Sequence, residues 1–282
     1  MARQKRMAVI NDFSGFGRCS LTVSLPVISA MRIQCCPVPT AILSNHTGYD
    51  HYFFDDYTDK MRPYCAEWEQ LGLTFDGIYT GFLGSVRQVE IISDFIQRFS
   101  SDQTAVIVDP VMGDNGAAYD TFSDELCSSI RKLIPLSDII TPNLTEACIL
   151  ADIPFREDIH SENDLLNIAD SLRKLGSKQT VITGIEDGSY INCFIYEDAF
   201  HYQMVRTRST GTRRAGTGDF FSSLIAGDRV NGKDIYESVG RAAELVRKSV
   251  VLSDEMKIPC RDGVCFEELM NEISLAPENC RS

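Results

Sequence analysis

Gly216-Thr217-Gly218-Asp219 is the stretch whose residue types and spacing could do chemistry, and Arg213-Arg214 stand just ahead of it. An apolar run from Phe220 through Ala226 follows and reads as a buried helix. A glycine-rich turn entering a helix offers unpaired backbone N–H groups at the positive end of the helix dipole. Such a turn holds an anion, and glycine lets a phosphate approach the backbone closely. A carboxylate at Asp219 would repel that anion unless it has a task of its own. Taking a proton from a hydroxyl that attacks phosphorus is such a task. The plainer alternative is an aspartate that stabilises a helix start and binds nothing. Arg206, Arg208, Arg213 and Arg214 form a local basic run, either a solvated strand-and-loop face or a phosphate contact.

The elements that must position these residues alternate along the chain. Met7–Ile10 reads as a strand running into the loop 11–18, and Ser20–Met31 as a helix that Pro26 bends. Residues 33–43 read as extended and 53–71 as helical. A strand at Gly77–Phe82, a strongly periodic helix at Val86–Phe99 and an apolar strand at Ala105–Val108 come next. Beyond them lie a helix at 123–134, a strand at Ile139-Ile140 and a helix opening at Leu144. Leu165–Leu175 is helical up to Gly176, and Thr180–Thr183 is a strand. Two strands (191–196, 200–206), the helix after Asp219, a long helix (233–253) and a short one (266–273) complete the series. Alternation of this kind predicts a three-layer α/β/α fold, a mostly parallel open sheet with helices on both faces, in one domain over 1–282. Ligands in such sheets bind at the carboxyl ends of the strands. Polar clusters do follow the strands: Asn11-Asp12, Ser44–Thr47, Thr80-Gly81, Asp109–Asp114, Thr141–Asn143 and Thr183-Gly184.

A formal charge of −13 argues against a broad nucleic-acid surface and against anionic membranes, while one local basic patch suffices for a nucleotide. The apolar run behind the basic residues 1–6 is only four residues long, too short for a signal peptide or a span, so a soluble, cytoplasmic protein is expected. The ten cysteines are scattered with no C-x-x-C, and the four histidines show no ligand spacing. Reduced, mostly buried thiols and no structural zinc are therefore expected.

Asp109-Pro-Val-Met-Gly-Asp114, Ile140-Thr-Pro-Asn-Leu-Thr-Glu146 and Gly216-Thr-Gly-Asp219, in that order, resemble the ribokinase-like vitamin kinases. Ser44-Asn-His-Thr-Gly-Tyr49 resembles the substrate loop of the pyridoxal kinases among them, and the likeness runs from about Ile10 to about Ser253. The resemblance implies phosphorylation of the 5′-hydroxymethyl group of pyridoxal, pyridoxine or pyridoxamine, with ATP as donor. By the same resemblance Asp219 is the catalytic base and Gly216, Thr217 and Gly218 are the anion hole. Asp109 and Glu146 support Mg²⁺, which takes few carboxylates and several waters. Glu146 has a plainer alternative as a first-turn acid of its helix. Asp114, Asn143 and Thr183 match nucleotide or monovalent-cation (K⁺ or Na⁺) positions, and Arg214 is a candidate phosphate contact. Thr47 and Tyr49 match the substrate loop and Tyr119 a residue near the phosphates; for both tyrosines a packing role is the alternative. A homodimer is implied by the resemblance alone.

Two departures stand out. The stretch Asn11–Arg18 differs from the Ser-His-rich loop common in pyridoxal kinases, although Asn11 and Asp12 remain candidates to contact the pyridine. Asp12 resembles an acid of the hydroxymethylpyrimidine kinases, the rival reading. Phe82 stands where many pyridoxal kinases carry tyrosine, which keeps ring stacking and loses a hydroxyl. A third reading, a binder that kept the pocket and lost the chemistry, is disfavoured by the retained Asp219, Glu146, Asp109 and Gly216–Gly218.

Overall fold

The computed structural model describes residues 3–119, 121–159 and 161–274. Nine strands form one sheet in the order β11-β10-β9-β8-β5-β4-β1-β2-β3. These are β1 (Arg6–Phe16), β2 (Gln34–Asn45), β3 (Phe54–Asp56), β4 (Gly77–Thr80), β5 (Ala105–Val108), β8 (Ile139–Ile140), β9 (Gln179–Asp187), β10 (Tyr190–Asp198) and β11 (His201–Arg208). The six strands from β2 to β9 in that order run parallel, while β3, β10 and β11 are antiparallel additions at the two edges. A two-stranded ribbon of β6 (Gly113–Asp114) and β7 (Ala117–Ala118) projects beyond β5.

Side chains alternate across the central strands as a strand's period of two requires. Ala8, Ile10, Ile78, Val106 and Val108 face one core, whereas Met7, Val9, Tyr79 and Ile107 face the other. The first core is covered by α2 (Thr58–Gln70), α3 (Val86–Phe99), α4 (Asp124–Ile130), α5 (Leu144–Ala151) and α6 (Glu162–Lys174). The second is covered by α1 (Ser20–Ala30), α7 (Thr217–Val230), α8 (Ile235–Glu255) and α9 (Met270–Ser274). Both faces are thus buried, which is why the central strands read as continuous apolar runs.

Several boundaries differ from the sequence expectation. β1 does not end at Ile10 but continues to Phe16, and only a register shift interrupts it, where Thr40 and Ala41 of β2 stand against Asp12. The extended β2 supplies the partner that lets these polar residues remain in the sheet. Residues 53–71 divide into β3 and α2, and the helix expected at 123–134 is α4 followed by a 3₁₀ segment, Arg131–Leu136, containing Pro135. Pro26 lies inside α1 without ending it. No helix among the described residues is long and apolar enough to cross a membrane.

Candidate active site

The helix α7 begins on Gly216, whose φ of +73° is left-handed. A side chain there would be strained, and a Cβ would collide with the Arg18 carbonyl oxygen, so only glycine brings the turn this close to the head of α1. The first intrahelical bond runs from Phe220 N–H to Gly216 C=O at 3.0 Å. Thr217, Gly218 and Asp219 thus occupy the first turn, whose N–H groups point out of the helix. A Cβ on Gly218 would meet nothing within 4 Å, so the space over that N–H is open. The geometry is an anion-binding helix start.

Asp219 lies in this turn, half-buried, beside Asn11 in the middle of β1. Burial pushes its carboxyl up to about 6, which the Ser20 N–H and the Asn11 amide partly offset and the Asp12 charge reinforces. Asn11 is fully buried; its Nδ2 donates to Asp219 Oδ1 at 3.1 Å, and its Oδ1 accepts from the N–H groups of Asp12 (3.0 Å) and Phe82 (2.8 Å). Gly81 is obliged to be small by this side chain, since a Cβ there would sit 2.6 Å from Asn11 Cγ. Asn11, expected to contact a pyridine ring, has its amide engaged on both sides within the protein. Asp12 is also buried and accepts from Ser14 Oγ at 2.8 Å, and burial raises its carboxyl above the ordinary value.

A second acidic group gathers at the ends of β5 and β8. Asn143 caps α5 and Glu146 closes a capping box with it: Glu146 N–H donates to Asn143 Oδ1 (2.9 Å) and Asn143 N–H to Glu146 Oε2 (2.8 Å). The other carboxylate oxygen, Oε1, accepts from Met112 N–H at 3.0 Å, so Glu146 also pins the segment after β5. Asn143 Nδ2 donates to Gly113 C=O at 2.8 Å, and Asn143 pairs with Thr183 across the strand ends. Asp109 is buried nearby. Burial, then the charges of Glu146 and Asp219, hold its carboxyl well above the usual range. Burial raises Glu146 as well, against the backbone N–H groups that favour its charge.

Two buried carboxyls, Asp109 raised by the charge of Glu146 and Glu146 by that of Asp114, with no cation among the groups that act on them, form a donor set that a hard divalent ion would relieve. No group of three or more candidate ligands occurs among the described residues. Mg²⁺ is an ion that takes one or two carboxylates and fills its shell with water and phosphate oxygens.

Aromatic rings line the other side. Phe82 meets Phe122 edge-on at 5.9 Å, and Phe122 meets Tyr119 at 6.3 Å. Tyr119 is partly exposed and follows the β6–β7 ribbon, where Asp114 accepts from the Asn115 N–H and side chain. The Ser44–Tyr49 loop closes on a segment that the sequence did not single out. Tyr49 Oη donates to Asp262 Oδ1 at 2.6 Å, the Arg261 guanidinium lies 5.0 Å over its ring, and His46 Nε2 lies 2.6 Å from Arg261 C=O. Tyr49 is thus a latch to residues 260–262, while Thr47 stays exposed in the loop.

Arg214, a candidate phosphate contact in the sequence, is bound within the protein. Its side chain is 2% exposed, pairs with Asp254 at 2.5 Å and donates to Ile258 C=O at 2.8 Å. It clamps the end of α8 to the 258–263 segment instead of pointing at a phosphate. Arg213 is the exposed member of the pair: it bonds Asn115 of the ribbon and Glu186 of β9, the latter at 2.6 Å. The contacts that sequence reasoning did not anticipate involve Phe122, Arg261, Asp262 and Ser222, whose hydroxyl lies 2.9 Å from Thr141 Oγ1. None carries a local motif.

An open groove of about 580 Å³ lined by Asp138, Arg173, Lys178, Gln179 and Arg229 lies at the opposite, amino end of β9. Ligands of open parallel sheets sit at the carboxyl ends, where the residues above converge.

Residues 24–261 match the phosphomethylpyrimidine kinase family. A provisionally assigned pyridoxal kinase of Caenorhabditis elegans is 32% identical over 236 residues, 73% of this chain and 70% of that protein. A hydroxymethylpyrimidine/phosphomethylpyrimidine kinase of Haemophilus influenzae is 26% identical over 89% of this chain and 92% of its own length. Among solved structures, a provisionally assigned phosphomethylpyrimidine kinase from Bacteroides thetaiotaomicron, in a crystal form with pyridoxal, superposes with a TM-score of 0.93. It is 35% identical, with 98% of each chain covered.

Proposed function

Because the chain belongs to the phosphomethylpyrimidine kinase family, we propose that it transfers the γ-phosphoryl group of ATP to the 5′-hydroxymethyl group of a B6 vitamer, pyridoxal, pyridoxine or pyridoxamine. The observation that carries this reading is Asp219, a carboxyl with its pKa near 6 set in the first turn of an open helix start. At neutral pH it is ionised, yet basic enough to take the hydroxyl proton as that oxygen bonds to phosphorus and ADP leaves. The N–H groups of Thr217 and Gly218 face the oxygens of the transferring group and stabilise the charge that gathers there. Asp109 and, through water, Glu146 would hold Mg²⁺, which supplies neutralisation of the phosphate charges when bound. Arg213, 3.9 Å from Asp114, is the arginine of the basic run that we assign to the nucleotide side, together with Asp114, Asn143 and Thr183.

Phe82 and the exposed Tyr119 are the rings that we assign to a pyridine, with the buried Phe122 packed edge-on against both. The similarity of Ser44–Tyr49 to the pyridoxal kinase loop and the pyridoxal in the Bacteroides crystal support the vitamer over the pyrimidine. The second reading, a hydroxymethylpyrimidine kinase, is favoured by Asp12, a buried acid beside Asp219. Steady-state assays with each compound offered separately separate the two. Turnover of at least one vitamer is expected to exceed that of hydroxymethylpyrimidine; a pyrimidine preference in kcat/KM of about tenfold, or 1.4 kcal/mol, reverses the assignment.

The continuous sheet supports one kinase domain over the chain. Exposed Phe13, Phe16, Ile42, Phe53 and Phe54 at the projecting ends of β1–β3 support a homodimer. Light scattering of the purified protein is expected to give twice the chain mass of 31.5 kDa.

A further inference from the structure

We propose that Asn11 is a positioning residue that holds the Asp219 carboxylate through its Nδ2–H and ties it, through the Phe82 N–H on its Oδ1, to the wall of the substrate pocket. The inference rests on the reading of Asp219 as the base. A buried amide keeps its orientation only if donor and acceptor ends are each satisfied by groups of the right kind. Here Oδ1 takes two backbone N–H groups, at 2.8 and 3.0 Å, and this fixes which end of the amide is oxygen. Nδ2 is then obliged to face Asp219 Oδ1, at 3.1 Å. Gly81 seals the arrangement, since its missing side chain leaves the room the amide fills. The three elements joined are the middle of β1, the segment after β4 and the head of α7. A shift of the Phe82 backbone, which carries a pocket ring, is thereby transmitted to the carboxylate that must meet the substrate hydroxyl.

The groups facing Asp219 leave Asn11 a distinct part. Asp12 from β1 opposes the charge, the Ser20 N–H from α1 favours it, and none of the groups acting on Asp219 is cationic. Cys19 at the head of α1, Tyr79 of β4, Asp109 beyond β5 and Tyr119 beyond β7 all feel the Asp219 charge, and none supplies a compensating cation. The Asn11 amide is the one side-chain donor in direct contact with the carboxylate among the described residues.

Asn11→Asp is the discriminating variant. It keeps an oxygen for the Asp12 and Phe82 N–H groups and exchanges only the donor facing Asp219 for a second acid, which disfavours the ionised pair. Two readouts are taken on the folded protein: the acid limb of kcat/KM against pH, and a carbon-13 titration of the Asp219 carboxyl, assigned with Asp219→Asn. Both are expected to move upward by about one unit or more. At pH 7 kcat is expected to fall about twofold for a rise of one unit and about tenfold for a rise of two, the KM for ATP stays within twofold, and activity is partly restored toward pH 9. Asn11→Ala, which removes the donor without adding charge, is expected to lower kcat in the same direction and serves if the aspartate variant does not fold. An unmoved Asp219 carboxyl in whichever variant folds overturns the proposal, and so does a loss of melting temperature with kcat and the pH limb unchanged. If the carboxyl titration moves while the kinetic limb stays, Asn11 does hold Asp219 and it is the assignment of Asp219 as the base that fails.

Discussion

Burial holds the Asp219 carboxyl near a pKa of about 6, so at neutral pH the folded state keeps a charge that water would solvate better. The consequence for stability has a definite sign. Between the ordinary value of 3.8 and about 6, the folded chain retains a proton that the unfolded chain has released. Stability therefore falls as pH rises through that window and stays lower above it. Asp219→Asn removes the charge and keeps the volume. Its kcat is expected to drop by about 10²–10⁴-fold, the range of a general base. Its melting temperature is expected to rise by roughly 2–6 °C at pH 7.5 and to match the wild type near pH 4. Nucleotide affinity should hold or improve, because a negative charge beside the phosphates is gone. Calorimetry at the two pH values with one kinetic assay checks all three; a destabilised variant with normal turnover would return Asp219 to the role of a helix-start acid.

At the scale of elements, α5 shows how one side chain serves both a helix and a site. Glu146 is the N3 acid of a capping box, as the plainer alternative proposed, and its second oxygen reaches beyond the helix to Met112 N–H. The helix start and the segment carrying Asp109 are therefore set by the same carboxylate. In Glu146→Gln one oxygen becomes an NH₂ facing an N–H donor, a lost hydrogen bond costing about 1–2 kcal/mol. Removal of a buried charge offsets part of that cost, so the melting temperature is expected to change by less than about 5 °C. The Mg²⁺ concentration for half-maximal activity is expected to rise and kcat to fall. A Mg²⁺ titration identical to wild type would leave Glu146 with the helix cap alone.

Across the whole molecule, the Ser44–Tyr49 loop depends on a residue that never touches it. Arg214 grips Ile258 C=O and Asp254, and the segment it clamps carries Arg261 and Asp262, against which Tyr49 and His46 rest. Arg214→Ala leaves Asp254 and the carbonyls without their cation, at a cost of about 3 kcal/mol and a melting temperature lower by roughly 5–10 °C. Because the clamp lies behind the loop and not on the nucleotide, KM for the vitamer is expected to rise more than fivefold while KM for ATP changes less than twofold. Equal increases in both would mean that Arg214 acts on the phosphates after all.

Local chemistry in the chain was enough to determine the alternating elements, the parallel sheet and the order of the polar clusters at its carboxyl edge. Period and apolar runs are properties of neighbouring residues, and the anion turn needs only Gly216, Thr217 and Gly218 in succession. What folding alone decided are the contacts between residues far apart in sequence. Asn11 and Asp219 are 208 positions apart, Tyr49 and Asp262 are 213, and Arg214 and Ile258 are 44. An arginine before a phosphate turn looks the same in sequence whether it faces solvent or a helix end. The difference between Arg213 and Arg214 is set by the backbone that brings the 258–263 carbonyls within reach of one and not the other. Asn11 likewise read as a pocket residue because it follows an apolar strand. The pairing of that strand with β2 carries it on to Phe16, buries the amide and turns it toward Asp219, because a buried amide must find its partners wherever the packed chain places them.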